Sequence, residues 1–105
     1  MKRIIEGKRY DTETAVKIAY WCNGLGDRDF NNCEEALYRT KNGKYFIHGA
    51  GGPMSRWAHS CGNNSYSGGS GIEALSPTEA LEWIERHDLE VDERTPELLE
   101  LVTEA

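Results

Sequence analysis

Cys22, Cys33, Cys61, His48 and His59 are the side chains in this 105-residue sequence best suited to chemistry. Thiolate sulfur and imidazole nitrogen are the ligands that tetrahedral zinc takes in structural sites. Cys22 and Cys33 flank a loop, and His59-Ser60-Cys61 holds two donors in a glycine-rich stretch flexible enough to reach them. Cys22, Cys33, His59 and Cys61 are therefore a candidate zinc site, with His48 as a spare ligand, whose role would be to pin that stretch to a sheet. Their spacing is not that of a zinc finger or ribbon, and inert thiols with surface imidazoles are the plainer alternative. The same groups admit covalent chemistry, with Cys61 as nucleophile and His48 or His59 as its base, provided a third group orients them.

Two further patterns carry less. Gly49-Ala50-Gly51-Gly52-Pro53 followed by Arg56 offers backbone amides to a phosphate. No Gly-Lys-Ser/Thr or Gly-x-Gly-x-x-Gly leads from a strand into a long helix, so the run reads as a structural turn. Asp27-x-Asp29 lacks the rest of an EF-hand and reads as turn chemistry. Protein recognition is better supplied. Arg56, Trp57 and Tyr66 are residue types that dominate binding hot spots when exposed, and Glu79, Glu82 and Glu85 put acid on a helix face.

The elements that must position these residues follow from local patterns. Glu6-Gly7 predicts a hairpin turn between Ile4-Ile5 and Lys8-Arg9-Tyr10. Asp11 caps a short turn, and Val16, Ile18, Tyr20 and Cys22 alternate as the inward side of a strand, with Lys17, Ala19 and Trp21 opposite. Asn42-Gly43 predicts a two-residue type I′ turn pairing Arg39 with Phe46 and Tyr38 with Ile47. Residues 48–71 read as a long glycine-rich loop, with one helical turn from Pro53 to Ala58. A strand is expected at Ile72-Glu73-Ala74-Leu75. Ser76-Pro77-Thr78-Glu79 is a capping box that opens a helix to about His87, with Pro77, Ala80, Leu81 and Ile84 on one stripe and Trp83 beside it. Thr95-Pro96 opens a second, shorter helical stretch.

The expected fold is a single α+β domain over residues 1–105: a small antiparallel sheet of four or five strands, one main helix packed on it, and the glycine-rich loop at its rim. No apolar run approaches the about 20 residues of a membrane span, and the three cysteines do not form a secreted disulfide framework. A cytoplasmic protein without membrane contact is expected. The net charge of −6 is unevenly spread: residues 72–105 hold eleven acids against Arg86 and Arg94, a net −9, while residues 1–71 carry +3. An acidic, helical C-terminal third repels nucleic acid and favours basic partners.

The chain resembles a family of small proteins from prophages and mobile elements of gut Firmicutes. The resemblance rests on Ile4-Ile5-x-Gly7-Lys8-x-Tyr10-Asp11-Thr12-Glu13-Thr14-Ala15, on Leu37-Tyr38 with Gly43-x-Tyr45-Phe46, on Gly49-x-Gly51-Gly52-Pro53-Met54-Ser55, on Asn64-Ser65-x-Ser67-Gly68-Gly69, and on Leu75-Ser76 leading to Glu79-Ala80-x-x-Trp83. It implies no particular chemistry and no family-wide requirement for Cys22 or Cys61. Similar proteins include anti-CRISPR inhibitors of Cas9, which implies a non-enzymatic inhibitor of a nucleic-acid-handling host defence protein; the residues expected to make the contact are the ones singled out above by type and charge, Arg56, Trp57, Tyr66, Glu79, Glu82 and Glu85. The alternatives are a small metal- or cysteine-dependent enzyme, and an accessory protein that binds an operon partner.

Overall fold

Four antiparallel strands form the main sheet in the computed structural model of the chain, which describes residues 1–26, 28–62, 65–91 and 95–102. The elements are β1 (Lys2–Ile5), β2 (Lys8–Asp11), β3 (Val16–Cys22), β4 (Cys33–Arg39), β5 (Tyr45–Gly51), β6 (His59–Gly62), β7 (Ser65–Ser67), β8 (Gly69–Leu75), α1 (Pro77–Arg86) and α2 (Pro96–Leu99). The main sheet runs in the order β3-β4-β5-β8, and β1-β2 and β6-β7 are separate two-stranded sheets. The chain is α+β. Among the described residues no helix is long and apolar enough to cross a membrane.

Glu6 and Gly7 turn the first hairpin with φ of 52° and 77°, the left-handed pair whose twist matches the strands. The central hairpin differs from expectation. Only Gly43 has positive φ there, 80°, and its N–H donates to Thr40 O at 3.0 Å, which closes a three-residue loop over residues 41–43. Thr40 N–H then donates to Lys44 O at 2.8 Å, while Thr40 Oγ1 accepts from Lys44 N–H at 3.0 Å. The extra loop residue slips the register by one, so Leu37 pairs with Ile47 and Tyr38 with Phe46. A one-residue slip exchanges faces. Leu37 joins Tyr45 and Ile47 in one cluster, and Tyr38 joins Phe46 in the other.

β3 departs from strict alternation as well. Its register against β4 shifts between Lys17 and Ala19, which makes Ile18 the extra residue of a bulge. Ile18 remains buried, but beyond the bulge the phase inverts: Trp21 packs toward α1, and Tyr20 and Cys22, expected inside, are exposed. Val16 is exposed too.

The sheet buries a cluster on each face. Ile18, Leu37, Tyr45 and Ile47 meet Ala80, Trp83 and Ile84 of α1 and Leu98 of α2. Tyr10, Ala36, Tyr38, Phe46 and Ile72 pack together under the first hairpin. The capping box of α1 forms as expected, with Ser76 Oγ accepting from Glu79 N–H at 3.1 Å and the Glu79 carboxylate accepting from Ser76 N–H at 3.0 Å. Its buried stripe is Ala80, Trp83 and Ile84, while Pro77 is exposed. α2 is anchored by Glu97, which accepts from the Tyr45 hydroxyl and from Arg39 Nε at 2.6 Å. Those two donors hold its carboxyl down at about 2.

Residues 48–71 are not one loop. They contain the last residues of β5, all of β6 and β7, and the first of β8. Between β5 and β6 the expected helical turn is replaced by tight turns, with Ser55 N–H donating to Gly52 O at 3.0 Å and Ala58 N–H to Ser55 O at 3.2 Å. The glycines have a packing role. Gly49 and Gly71 are cross-strand partners, and the Trp57 indole lies across both. A Cβ on Gly49 would stand 2.0 Å from Trp57 Cε2, and one on Gly71 3.2 Å from Cζ3. Gly49→Ala must expel the indole, and we expect a loss of about 3 kcal/mol in urea unfolding followed by circular dichroism. Gly71→Ala, with a gap a few tenths of an ångström from ordinary contact, should lose less; equal losses would show that the indole does not set the cost.

Candidate functional site

Register decides what lies beneath Trp57. With the central hairpin closed by three residues, Glu35 shares the inward phase of Leu37 and stands opposite Gly49 on β5 and Trp21 on β3. Its side chain is 2% exposed. A buried carboxylate must be hydrogen-bonded or neutralised, and this one collects donors from two distant parts of the chain. Oε1 accepts from Trp83 Nε1 of α1 at 2.7 Å. Oε2 accepts from Trp57 Nε1 at 2.9 Å and from Arg56 Nη1 at 3.1 Å. Hydrogen bonds to a charged group contribute about 1.5–3 kcal/mol each, so the cluster ties helix, turn and sheet together.

Arg56 extends the cluster to the surface. Its guanidinium lies 4.7 Å from the Trp57 ring centroid, and its other terminal nitrogen pairs with Glu73 on β8. On the other side His87, the C-cap of α1, stacks on Trp21 at 4.0 Å between ring centroids and meets Trp83 edge-on at 5.0 Å. His87 Nε2 lies 3.9 Å from Glu35 Oε1 and, among the described residues, has no hydrogen-bond partner. Burial lowers the pKa of His87, with Glu35 opposing that shift. With both oxygens of Glu35 occupied, the cluster is a lock that fixes Arg56 at the surface.

The residues proposed for recognition fall into two groups. Arg56, Glu79 and Glu82 line one small pocket of about 80 Å³, together with Glu73 and Arg86. Trp57, expected in an exposed loop, is half-buried by its place over Gly49. Tyr66 stands 61% exposed on β7, and Glu85 is exposed on α1. The thiols are dispersed by the sheet. Cys22 is exposed opposite Glu34, whereas Cys33 is half-buried opposite Gly51, with its thiol pKa pushed up by burial. Cys61 is exposed on β6, and the His59 ring lies against Gly69. Among the described residues, no group of three or more His, Cys, Asp or Glu side chains is arranged to hold a metal ion. His48 has its pKa lowered, first by burial, on the face opposite Glu35.

Glu35 was not among the residues singled out from sequence. The signal that finds it is parity: once Gly43 is read as the end of a three-residue loop, a glutamate two residues before Leu37 must point inward. Comparisons with protein families, curated proteins and solved structures return no match for this chain.

Two outcomes test the lock. Glu35→Ala leaves two indole N–H groups without their acceptor, and a loss of about 3 kcal/mol or more in urea unfolding is expected, with Glu35→Gln losing roughly half as much. A loss under about 0.5 kcal/mol for Glu35→Ala would show that the carboxylate is dispensable. The second outcome concerns pH. His87 and His48 are lowered from 6.5 in the folded chain, so the unfolded chain binds more protons as pH falls below that value. The stability that the neutral imidazoles contribute is whole above 6.5 and is lost as pH drops through their folded pKa values. The urea midpoint should therefore fall between about pH 7.5 and about pH 5.5, and a His87→Gln, His48→Gln double variant should flatten that fall.

Proposed function

We propose that this chain acts by binding another protein, as a mobile-element inhibitor of a nucleic-acid-handling defence protein of the Cas9 type. The observation that carries the reading is the β6-β7 hairpin: every residue of both strands is exposed, and Tyr66 is its one large apolar side chain. A strand pair whose residues all stay exposed adds little to a core. An exposed tyrosine on a hairpin supplies broad contact area at low entropic cost.

Charge supports the same reading. Glu79 and Glu82 gather with Arg56 around one pocket, Glu85 extends the acidic face, and residues 72–105 sum to −9. Such a face suits a partner whose own channel is positive because it holds nucleic acid. In this mechanism carboxylates take the place of phosphates on the partner, without turnover and without direct binding to nucleic acid. Inhibition is then stoichiometric.

The experiment is binding of the purified chain to an immobilised Cas9–guide RNA complex, with a salt series. Glu82→Lys with Glu85→Lys should weaken capture about tenfold and make its salt dependence shallower, and Tyr66→Ala should weaken it by a similar factor. Glu79 is left in place because it caps α1. No capture of the effector by the unaltered chain, or full affinity in both variants, would overturn the reading.

A further inference from the structure

The bulge in β3 brings together a set of side chains on the sheet face opposite α1. Lys17 and Tyr20 lie an odd number of residues apart, so strict alternation would put them on different faces, and the extra residue at Ile18 puts them on the same one. Residues directly opposite each other in an antiparallel ladder share a face. Lys17 stands opposite Tyr38 and Tyr20 opposite Ala36, both members of the cluster under the first hairpin. On the same face His48 stands opposite Ala36, and Glu34 opposite Ala50. Tyr20 and Glu34 are exposed, so the first hairpin does not cover this end of the face. A hollow of about 310 Å³ is left there, floored by the two alanines and walled by Lys17, Tyr20, Glu34, Tyr38 and His48.

The charged groups of the hollow have no partner of opposite charge. Lys17 makes no ion pair among the described residues, and its ammonium lies 5.9 Å from the ring centroids of both Tyr20 and Tyr38. Glu34 accepts one hydrogen bond, to Oε2 from the Tyr20 hydroxyl at 2.7 Å, and has no ion pair among the described residues. That bond pushes the Tyr20 pKa up to about 12, so the phenol remains the donor and the carboxylate keeps its charge. Burial lowers the His48 pKa from 6.5, which leaves the imidazole neutral at pH 7 with one nitrogen able to accept. Glu35 also borders the hollow, but its carboxylate is bonded to Trp57 and Trp83 on the other face. The Met1 ammonium, which donates to Thr12 Oγ1 at 3.0 Å, adds a second cation at the rim. Lys17 and Glu34 thus present opposite charges at the two ends of one phenol ring, above an apolar floor. The volume is near the lower end of the about 300–1,000 Å³ that small-molecule sites span, which suits an occupant of amino-acid size.

We propose that this hollow binds a free apolar α-amino acid. Its carboxylate meets the Lys17 ammonium, its ammonium meets the Glu34 carboxylate and the unprotonated nitrogen of His48, and its side chain lies against Ala36 and Ala50. Lys17 is held only by aromatic faces, so it turns to a carboxylate without breaking an ion pair. The site lies on the opposite side of the sheet from α1 and uses nothing of the β6-β7 hairpin, so it stands or falls separately from the inhibitor reading.

The probe is leucine, titrated into the full chain by calorimetry and by ¹⁵N–¹H NMR. N-acetylleucine, which lacks the ammonium, and leucinamide, which lacks the carboxylate, go beside it. Leucine should bind saturably, with its largest amide shifts at Ala36, His48 and Ala50, and each blocked form should bind about tenfold more weakly or worse. Lys17→Met and Glu34→Gln keep the length of exposed side chains and remove one charge each. Lys17→Met should erase the preference for leucine over leucinamide, and Glu34→Gln the preference for leucine over N-acetylleucine, a pairing that a general loss of structure would not produce. No saturable binding of leucine, equal binding of either blocked form, shifts centred away from Ala36 and Ala50, or preferences unchanged in the two variants would each overturn the proposal.

Discussion

A single carboxylate taken out of water governs how this chain is put together. Glu35 sits inside a strand, where an ion without partners would cost several kcal/mol. Its donors lie far away in sequence, on Trp57 and Arg56 in the turn after β5 and on Trp83 in α1. The fold that satisfies Glu35 must bring turn and helix over the same point of β4. Each then constrains something else. Trp57 reaches the carboxylate only by lying flat on the sheet, which requires strands bare of side chains beneath it, and Gly49 and Gly71 supply them. Trp83 reaches it only if α1 starts where the Ser76 cap starts it.

A second carboxylate repeats the device at the other end of the same face. Glu97 is held by the Tyr45 hydroxyl and the Arg39 guanidinium, so a helix of four residues is fixed to strands that close far from it in sequence. Short helices are poorly stable alone, and here tertiary bonds replace the missing length. Between these two points the face is apolar and closed. The opposite face is covered over part of its area by the first hairpin, whose Arg3 reaches across to Ile72 O on β8.

Much of this was legible from residue types. The Glu6-Gly7 turn, the Ser76-Glu79 capping box and the Pro96 start are local devices in which a few neighbouring residues carry all the information. What local reading missed were matters of count. Asn42-Gly43 suits a two-residue turn, but Thr40 and Gly43 together favour one residue more, and that residue decides which side of the sheet Leu37, Tyr38 and Glu35 occupy. The bulge at Ile18 is a similar insertion, invisible in a pattern that alternates correctly up to it. The glycine-rich segment was read through backbone freedom, whereas Gly49 and Gly71 are needed for what lies on top of them. The exposure of Tyr66 was legible because its neighbours are serine and glycine, which have little to bury. The role of Glu35 was not, because its partners are fixed by topology and not by spacing.

The cluster around Glu35 also gives the molecule a built-in optical reporter. The chain has three tryptophans. Trp57 and Trp83 both donate to the same carboxylate, and Trp21 stacks on the imidazole beside it. Tryptophan emission from this protein, excited selectively over its five tyrosines, therefore comes entirely from one small region. Its wavelength and yield register the state of that region alone, including the protonation of His87 in contact with two of the emitters. A change at the β6-β7 hairpin or along β8 leaves the signal dark unless it moves the turn or the helix, so emission separates events that loosen the interior from events confined to the surface.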